Sequence, residues 1–440
     1  MTSEPPGETD TGLPPLPNPA LKPLSFWGCW SLTVGVMIGS GIFLLPTVLA
    51  PYGLMSFGGW LLTGGSSILL ALVLARLAGR TTRTGGPYAY AADAFGDLPG
   101  FLIAWGYWAS VWIATPTIAL AFVGYLSVFF PQLNDAPVAQ AALALGLLWT
   151  LTLISIRGVR EAGLVQLVMT FLKLIPLILI IIAGLAFGSA DNLPELNPTG
   201  GHPLAILATT ALLTMWAFAG MEAGVIPAGE VANPQKTMPR AIFTGVLTVA
   251  LVYIGSTAAV MMLVPADQLA QSTSPFSDAA RVLGTWGPPL VAIGALVSTA
   301  GSLNGNIFTS GQMPLAVALD RLAPKFLAIR NKGHAPYWAL ILATSVSSIL
   351  LILNFSRGLV GAFTFLLMMS TLTTLIPMLI SALAEFKHSW ASARGWAAVA
   401  VAGALYSVFA ILGSGLEVLA WGALLLAAGV PVFYLGRQRG

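Results

Sequence analysis

The chain has 440 residues, of which 57% are hydrophobic and 8% are charged, with a net charge of +3. Soluble globular proteins carry about 25% charged residues, so water cannot solvate most of this surface, and a soluble class is excluded. The small, dispersed net charge excludes a nucleic-acid partner, and one cysteine with three scattered histidines gives neither a disulfide nor a metal-ligand spacing. We therefore expect a protein embedded in the lipid bilayer, with no metal and no cofactor.

The predicted elements begin after a polar, proline-rich segment over residues 1–24, whose composition predicts a disordered tail. A membrane helix needs about 20 apolar residues. A scan on that basis predicts an all-α polytopic protein with twelve transmembrane helices. Their approximate ranges are 26–50, 56–78, 96–130, 138–156, 163–187, 204–229, 241–264, 286–318, 336–354, 359–384, 393–412 and 416–436.

The lysine and arginine positions predict the orientation of these helices. An even number of spans places both termini on the same side of the membrane. If that side is the cytoplasm, every Lys and Arg falls on a cytoplasmic segment except Lys173, Arg281 and Arg357. Cytoplasmic loops are the ones enriched in Lys and Arg, so both termini are predicted to be cytoplasmic.

Two of the predicted helices should break in mid-membrane. The first contains the cluster Gly39-Ser40-Gly41, and the sixth contains Gly220 shortly after Trp216. Glycine costs about 1 kcal/mol relative to alanine in a helix interior, so such clusters weaken a helix locally. Interrupted helices at corresponding positions of two halves indicate the binding site of a transporter. The alternative is that these glycines only allow neighbouring helices to pack closely.

Broken helices offer backbone groups to a ligand. The half-helix that follows Gly39-Ser40-Gly41 presents N–H groups and a positive dipole end, which suit a carboxylate. The half-helix that ends near Trp216 to Ala219 presents carbonyl groups, which suit an ammonium. Together they predict a receptor for the zwitterionic backbone of an amino acid.

Two ionisable residues fall well inside predicted helices, Glu222 and Lys173. A charge at the bilayer centre costs about 2.5–3.5 kcal/mol on insertion scales, so such residues usually face a cavity or a partner. We interpret Glu222 as a proton-coupling residue, because burial raises the pKa of a carboxyl group. The alternative is a buried acid satisfied by the adjacent broken backbone. For Lys173 the alternative is a side chain that extends to the inner interface.

Several motifs resemble those of the amino acid–polyamine–organocation (APC) superfamily. The resemblance runs from about Ser25 to the C-terminal helix and is strongest to the basic amino acid/polyamine antiporters of bacteria, arginine/agmatine antiporters in particular. The stretches that carry it are Gly39-Ser40-Gly41-Ile42-Phe43, Gly85-Gly86-Pro87-Tyr88, Trp216 to Glu222, Glu230 to Pro234 and Ser274 to Ala280.

This resemblance implies a LeuT-like fold of five plus five helices in an inverted repeat, followed by two peripheral helices. The repeats would occupy residues 25–188 and 203–385, and the last two helices with a short cytoplasmic tail would occupy 392–440. The resemblance also implies location in the bacterial inner membrane, antiport or proton-linked uptake, and a homodimer formed through the last two helices. A lysine on the fifth helix occurs in proton-coupled and exchanger members, which disfavours sodium coupling.

The resemblance also implies roles for individual residues. Ser40 and Gly41 would hold the substrate carboxylate, and Trp216 would stack over the substrate as a gate. Glu222 and Lys173 would act in coupling or gating. The complete set of predicted substrate-binding residues is Gly39, Ser40, Gly41, Ser110, Trp112, Thr115, Ile118, Trp216, Ala219, Gly220 and Asn306.

Three positions depart from the arginine/agmatine pattern, namely Val36, Thr115 and Asn306, where that pattern has two asparagines and a tryptophan. All three would touch the substrate side chain. The resemblance makes exchange of a basic amino acid for its amine the leading hypothesis, and these departures favour the alternative, uptake or exchange of neutral amino acids. Outside this class, a channel or membrane-embedded enzyme lacks the expected residues, and a transport-derived sensor would usually carry a soluble signalling domain.

Overall fold

The computed structural model describes residues 26–438, apart from 79, 81–86, 158–162, 222–233, 320–322, 332 and 334. The predicted tail over 1–24 and Glu222 lie outside the described residues. Every regular element in the described ranges is helical. The α-helices are α1 (Phe26–Met37), α2 (Gly41–Leu49), α3 (Ser56–Ala78), α4 (Pro87–Phe95), α5 (Asp97–Leu126), α6 (Pro137–Ile156), α7 (Gly163–Phe187), α8 (Pro203–Phe218), α9 (Pro234–Leu263), α10 (Ala266–Leu269), α11 (Pro275–Ala279), α12 (Gly287–Leu319), α13 (Tyr337–Asn354), α14 (Gly358–Ser389), α15 (Arg394–Leu412) and α16 (Gly415–Gln438).

Each apolar segment predicted from the sequence overlaps a described helix, and the first overlaps α1 and α2 together. The sixth overlaps α8 as far as Phe218, and its residues 222–229 lie outside the described part of the chain. In the described part of the chain, eight helical stretches are long and apolar enough to cross a membrane. These observations confirm an all-helical polytopic membrane protein. The break between α1 and α2 at residues 38–40 is where the glycine cluster predicted it.

The helix α5 forms the centre of the molecule. It is buried almost continuously from Gly100 to Tyr125 and packs against α6, α12, α13, α14 and α16. A helix that is hydrophobic on all sides needs such surroundings. By contrast, α6 buries only Gln140, Ala144, Leu148 and Thr152, which recur every four residues. That single stripe places α6 at the periphery, with its remaining surface towards lipid.

A short helix, α4, packs against α5 and α14. The Lys387 Nζ of α14 donates a hydrogen bond to the carbonyl of Ala94 at 2.7 Å, which caps the C-terminal end of α4. The ammonium also lies 5.4 Å from the ring centre of Phe95. Burial raises the pKa of Tyr90 on α4 to about 12, so its hydroxyl stays neutral at physiological pH.

Candidate functional site

The break in the first predicted helix leaves backbone N–H groups without hydrogen-bond partners in the protein interior. Residues 38–40 are buried and connect the end of α1 to the start of α2. Within the part of the chain that the structure describes, the N–H groups of residues 39–42 donate no hydrogen bond, whereas those of Ile38 and Phe43 do. The first N–H groups of any helix lack an intrahelical partner. Here they lie in an apolar interior, so an anionic group would satisfy them.

Side chains from two other helices hold the carbonyls at this break. The Tyr253 hydroxyl of α9 donates to the carbonyl of Met37 at 2.6 Å. The Ser298 hydroxyl of α12 approaches the carbonyl of Gly39 at 3.4 Å. A Cβ atom at Gly39 would lie 2.7 Å from Oγ of Ser302, one turn further along α12. The break is therefore fixed by packing, and Gly39 is needed because α12 approaches so closely.

These holding residues were missed at the sequence level. The available signal was the row of polar residues Ser298, Ser302 and Asn306 on α12, which recur every four residues and so share one face of the helix.

Beyond the break, α2 is fixed by a tyrosine on α5. The Tyr125 hydroxyl donates to the carbonyl of Phe43 at 2.7 Å and accepts a hydrogen bond from the N–H of Phe276 at 3.3 Å. The Phe43 ring meets the rings of Tyr125 and Phe276 edge to face. On the same side, the Thr47 hydroxyl donates to the carbonyl of Ser272 at 2.9 Å. The start of α2 is thus positioned against α5 and α11.

The second predicted break lies directly beside the first. Helix α8 ends at Phe218, Ala219 is extended with ψ 137°, and Gly220 has φ +97°. This φ is one that residues with a Cβ rarely adopt. A Cβ at Gly220 would also lie 2.7 Å from Cγ1 of Val36 on α1. The structure therefore brings the two interrupted segments into contact, as the hypothesis of a shared site requires.

Trp216 lies at the start of α2. A Cβ at Gly41 would lie 2.9 Å from Cδ1 and 3.0 Å from Nε1 of the Trp216 indole, so this glycine allows the ring to approach α2. The side chain is buried, with 8% of its surface exposed. The predicted gating residue and the predicted carboxylate site are therefore direct neighbours.

Two of the three positions that depart from the arginine/agmatine pattern contact each other. The Asn306 Nδ2 on α12 donates to Oγ1 of Thr115 at 2.8 Å and to the carbonyl of Val111 at 2.6 Å, both on α5. The Thr115 hydroxyl donates to the carbonyl of Val111 at 2.9 Å. The Thr115 and Asn306 side chains therefore form a neutral hydrogen-bonded link between α5 and α12. On α12 this link lies one turn from Ser302, which packs against Gly39.

The four predicted residues on α5 do not share one face. Successive residues of an α-helix are about 100° apart, so Ser110 and Trp112 lie on roughly opposite sides. The Ser110 hydroxyl donates to the carbonyl of Tyr107, whereas Ile118 is buried in the apolar core. The Nε1 of Trp112 is buried without a hydrogen-bond partner among the residues described. The four α5 side chains therefore cannot all face the substrate from one side of a single pocket.

Known proteins resemble this chain over most of its length. A model of the amino acid permease family matches residues 24–434. This chain belongs to that family. Among its relatives, a putative arginine/ornithine antiporter of Bacillus subtilis (strain 168) is 33% identical over 396 residues, which cover 82% of this permease and 84% of the relative.

Two further relatives come from Escherichia coli (strain K12). A cadaverine/lysine antiporter is 30% identical over 428 residues, covering 94% of each chain. The putrescine transporter PotE is 30% identical over 419 residues, covering 93% of this permease and 94% of PotE. The resemblance to the APC superfamily inferred from the motifs is therefore confirmed.

Of the two predicted coupling residues, the structure describes only Lys173. The side chain is 5% exposed, so it does not extend to the surface as the snorkelling alternative required. Its helix, α7, packs against α1, α9 and α12. One turn further along α7, Pro176 packs closely against Gly294 of α12. A Cβ at Gly294 would lie 2.9 Å from Cγ of Pro176. Lys173 is therefore within the tightly packed part of the permease.

A buried acid that the sequence analysis missed lies at the end of α14. Glu385 is fully buried, and its Oε1 lies 2.8 Å from Nε of Arg76 and 3.4 Å from a terminal nitrogen of Arg80. The Arg76 N–H does not point at this oxygen, so the contact is ionic rather than a linear hydrogen bond. Ser389 also donates to Glu385, and the Arg76 guanidinium lies 4.5 Å from the ring centre of Trp396. We call these five residues the charge cluster. It joins α3, α14 and α15.

Proposed function

We propose that this permease is a secondary active antiporter that exchanges an amino acid for an amine by alternating access. The observation that carries the proposal is the contact of the two interrupted segments, Gly220 against Val36, beside the unpaired N–H groups at the start of α2. A carboxylate would bind those N–H groups, and the end of α8 would receive the ammonium. Trp216 would cover the bound backbone from its position against Gly41.

The proposed topology is twelve membrane-spanning helices in two inverted repeats of five, with two peripheral helices and both termini in the bacterial cytoplasm. Two of the eight long apolar stretches are long enough to contain more than one membrane-spanning helix each, which supports a total above eight. Gly41–Leu77 and Tyr337–Ser389 contain 37 and 53 residues. At about 1.5 Å per residue the longer one would measure about 80 Å, more than twice the ~30 Å hydrocarbon core. Each stretch also contains a glycine of positive φ, Gly53 and Gly358, at a bend.

In this proposal Glu222 and Lys173 couple proton movement to exchange. The burial of Lys173 supports a role in the interior rather than at the interface. A charge kept within the membrane is costly, so its retention favours a function. The proposal also includes a homodimer through α15 and α16, as the family resemblance implies.

For the substrate we propose a basic amino acid exchanged for its decarboxylated amine. The names of all three relatives support a cationic substrate. One observation favours the alternative, a neutral amino acid. The neutral Thr115–Asn306 link occupies the position expected to read the substrate side chain, and it offers no carboxylate to an ammonium or guanidinium.

Counterflow in proteoliposomes tests the function and separates the two substrate classes. Vesicles are loaded with arginine, agmatine, lysine, putrescine, alanine or leucine, and labelled exchange is followed at pH 5 and pH 7. Exchange confined to basic amino acids and their amines is expected. Exchange of alanine or leucine alone would establish the neutral alternative, and the absence of exchange with every substrate would contradict an amino-acid antiporter.

The unpaired indole N–H of Trp112 gives a prediction about substrate binding. We expect Trp112→Phe to weaken substrate affinity about fivefold or more, because the substrate would be the partner of this buried donor. Trp108→Phe is the matched control, since it removes the same ring volume from the core but also the hydrogen bond from Nε1 to the carbonyl of Ser310 at 2.9 Å. Trp108→Phe should therefore lose about 1 kcal/mol more stability than Trp112→Phe. Unchanged half-saturation in counterflow for Trp112→Phe would remove Trp112 from the site.

A further inference from the structure

A groove runs between the C-terminal end of α14 and α15, beside the charge cluster. One wall is formed by Phe386 in the last turn of α14 and by Trp390, which follows that helix. The other wall is a row of mostly small residues on α15. Trp390 is 65% exposed, and its ring packs at 5.2 Å against that of Phe386. Among the described residues that line the groove, Arg394 at the first turn of α15 is the one that carries a charge. We call this feature the α14–α15 groove.

The groove has the length of one membrane leaflet. Arg394, Ala398, Ala402 and Leu405 recur every three or four residues and so share one face of α15. From Arg394 to Leu405 the helix rises about 16 Å. Half of a ~30 Å hydrocarbon core is about 15 Å. One end of the groove is cationic, with a tryptophan at the level expected for the lipid–water interface, and the rest is apolar. This is the polarity profile of a single phospholipid.

Charge at the rim determines which headgroup fits. In the described ranges, no carboxylate forms an ion pair with Arg394. The nearby acid, Glu385, is buried and engaged by Arg76 and Arg80. Lys387, in the last turn of α14, caps α4 at the Ala94 carbonyl, so Arg394 supplies the positive charge at the rim. A cationic rim above an apolar groove is complementary to an anionic phosphate headgroup with an acyl chain below it.

A second copy of the permease fits the groove less well. From Trp390 to the end of the chain the sequence contains a single acid, Glu417. Glu417 lies at the opposite end of the last two helices, where it pairs with Arg357. A neighbouring copy that used α15 or α16 could therefore bring no free carboxylate to Arg394.

We propose that the α14–α15 groove binds one anionic phospholipid, with its phosphate on Arg394 and one acyl chain along Ala398 and Ala402. The lipid belongs to the cytoplasmic leaflet, which rests on the proposed orientation. Trp396 lies about 200° around α15 from Arg394, so its contact with the guanidinium of Arg76 is on the other side of the helix from the groove. The bound lipid would thus support from outside the helix that completes the charge cluster.

Native mass spectrometry of the full-length protein tests this site, with phosphatidylglycerol and phosphatidylcholine as the probes. The wild-type protein should retain one phosphatidylglycerol per chain in preference to phosphatidylcholine. Arg394→Gln should weaken that retention about fivefold, the effect of one basic residue at an anionic surface. Ala402→Trp should remove it by filling the groove. Arg330→Gln, an exposed arginine outside the groove, is the matched control and should change nothing.

Three results would overturn the proposal. Equal retention of the two lipids by the wild-type protein would show that the headgroup is not recognised. Unchanged phosphatidylglycerol retention in Arg394→Gln would remove the arginine from the site. Because the same spectra report the oligomeric mass, a loss of dimer in Ala402→Trp without loss of lipid would assign the groove to a second copy instead.

Discussion

Gly220→Ala should reduce exchange about 30-fold while leaving folded protein in the membrane. Gly220 has φ +97°, where a residue with a Cβ costs about 2 kcal/mol. Since about 1.4 kcal/mol corresponds to a factor of 10, this strain alone depletes the competent state about 30-fold. In addition, the new Cβ would lie 2.7 Å from Cγ1 of Val36, so the two interrupted segments must separate. Initial rates of counterflow per folded protein measure the effect.

Two companion variants identify the cause of this loss. Gly65→Ala on α3 adds the same methyl group where nothing lies within 4 Å, and it should leave exchange unchanged. Val36→Ala combined with Gly220→Ala removes the clash but keeps the backbone strain, so it should restore only part of the activity. Full activity of Gly220→Ala would show that the contact between α1 and the end of α8 is not needed for transport.

Glu385→Gln is expected to destabilise the permease by about 2 kcal/mol. Removing one partner of a fully buried ion pair costs about 3–5 kcal/mol, because the remaining charge is left uncompensated. The arginines are partly hydrated, with 27% and 34% of their side chains exposed, so the cost should fall below that range. The midpoint of thermal unfolding in detergent, compared with that of the wild-type protein, measures the change.

The matched control for this variant is a surface pair in the same chain. Arg357 and Glu417 are 41% and 56% exposed, so Glu417→Gln should cost less than about 1 kcal/mol. Arg76→Gln combined with Glu385→Gln should be more stable than Glu385→Gln alone, since it removes the uncompensated charge as well. Equal effects of Glu385→Gln and Glu417→Gln would show that the charge cluster does not hold α3, α14 and α15 together.

The helices and the first break followed from local sequence. Membrane helices satisfy their own backbone hydrogen bonds and face lipid, so runs of apolar residues are enough to locate them. The segment 56–78 was predicted from hydropathy alone, and α3 occupies the same residues. The cluster Gly39-Ser40-Gly41 predicted where α1 stops, because glycine weakens a helix regardless of what surrounds it.

The relations between helices were decided only by tertiary packing. Thr115 and Asn306 are 191 positions apart in the chain, and their hydrogen bond exists because α5 and α12 lie side by side. Glu385 follows the predicted tenth span, and its burial depends on arginines from α3. Hydropathy reports how strongly a segment prefers lipid to water, and it takes no account of the helices that pack against that segment. The sequence alone therefore determined a membrane protein of this family, and only the structure showed that the two interrupted segments meet.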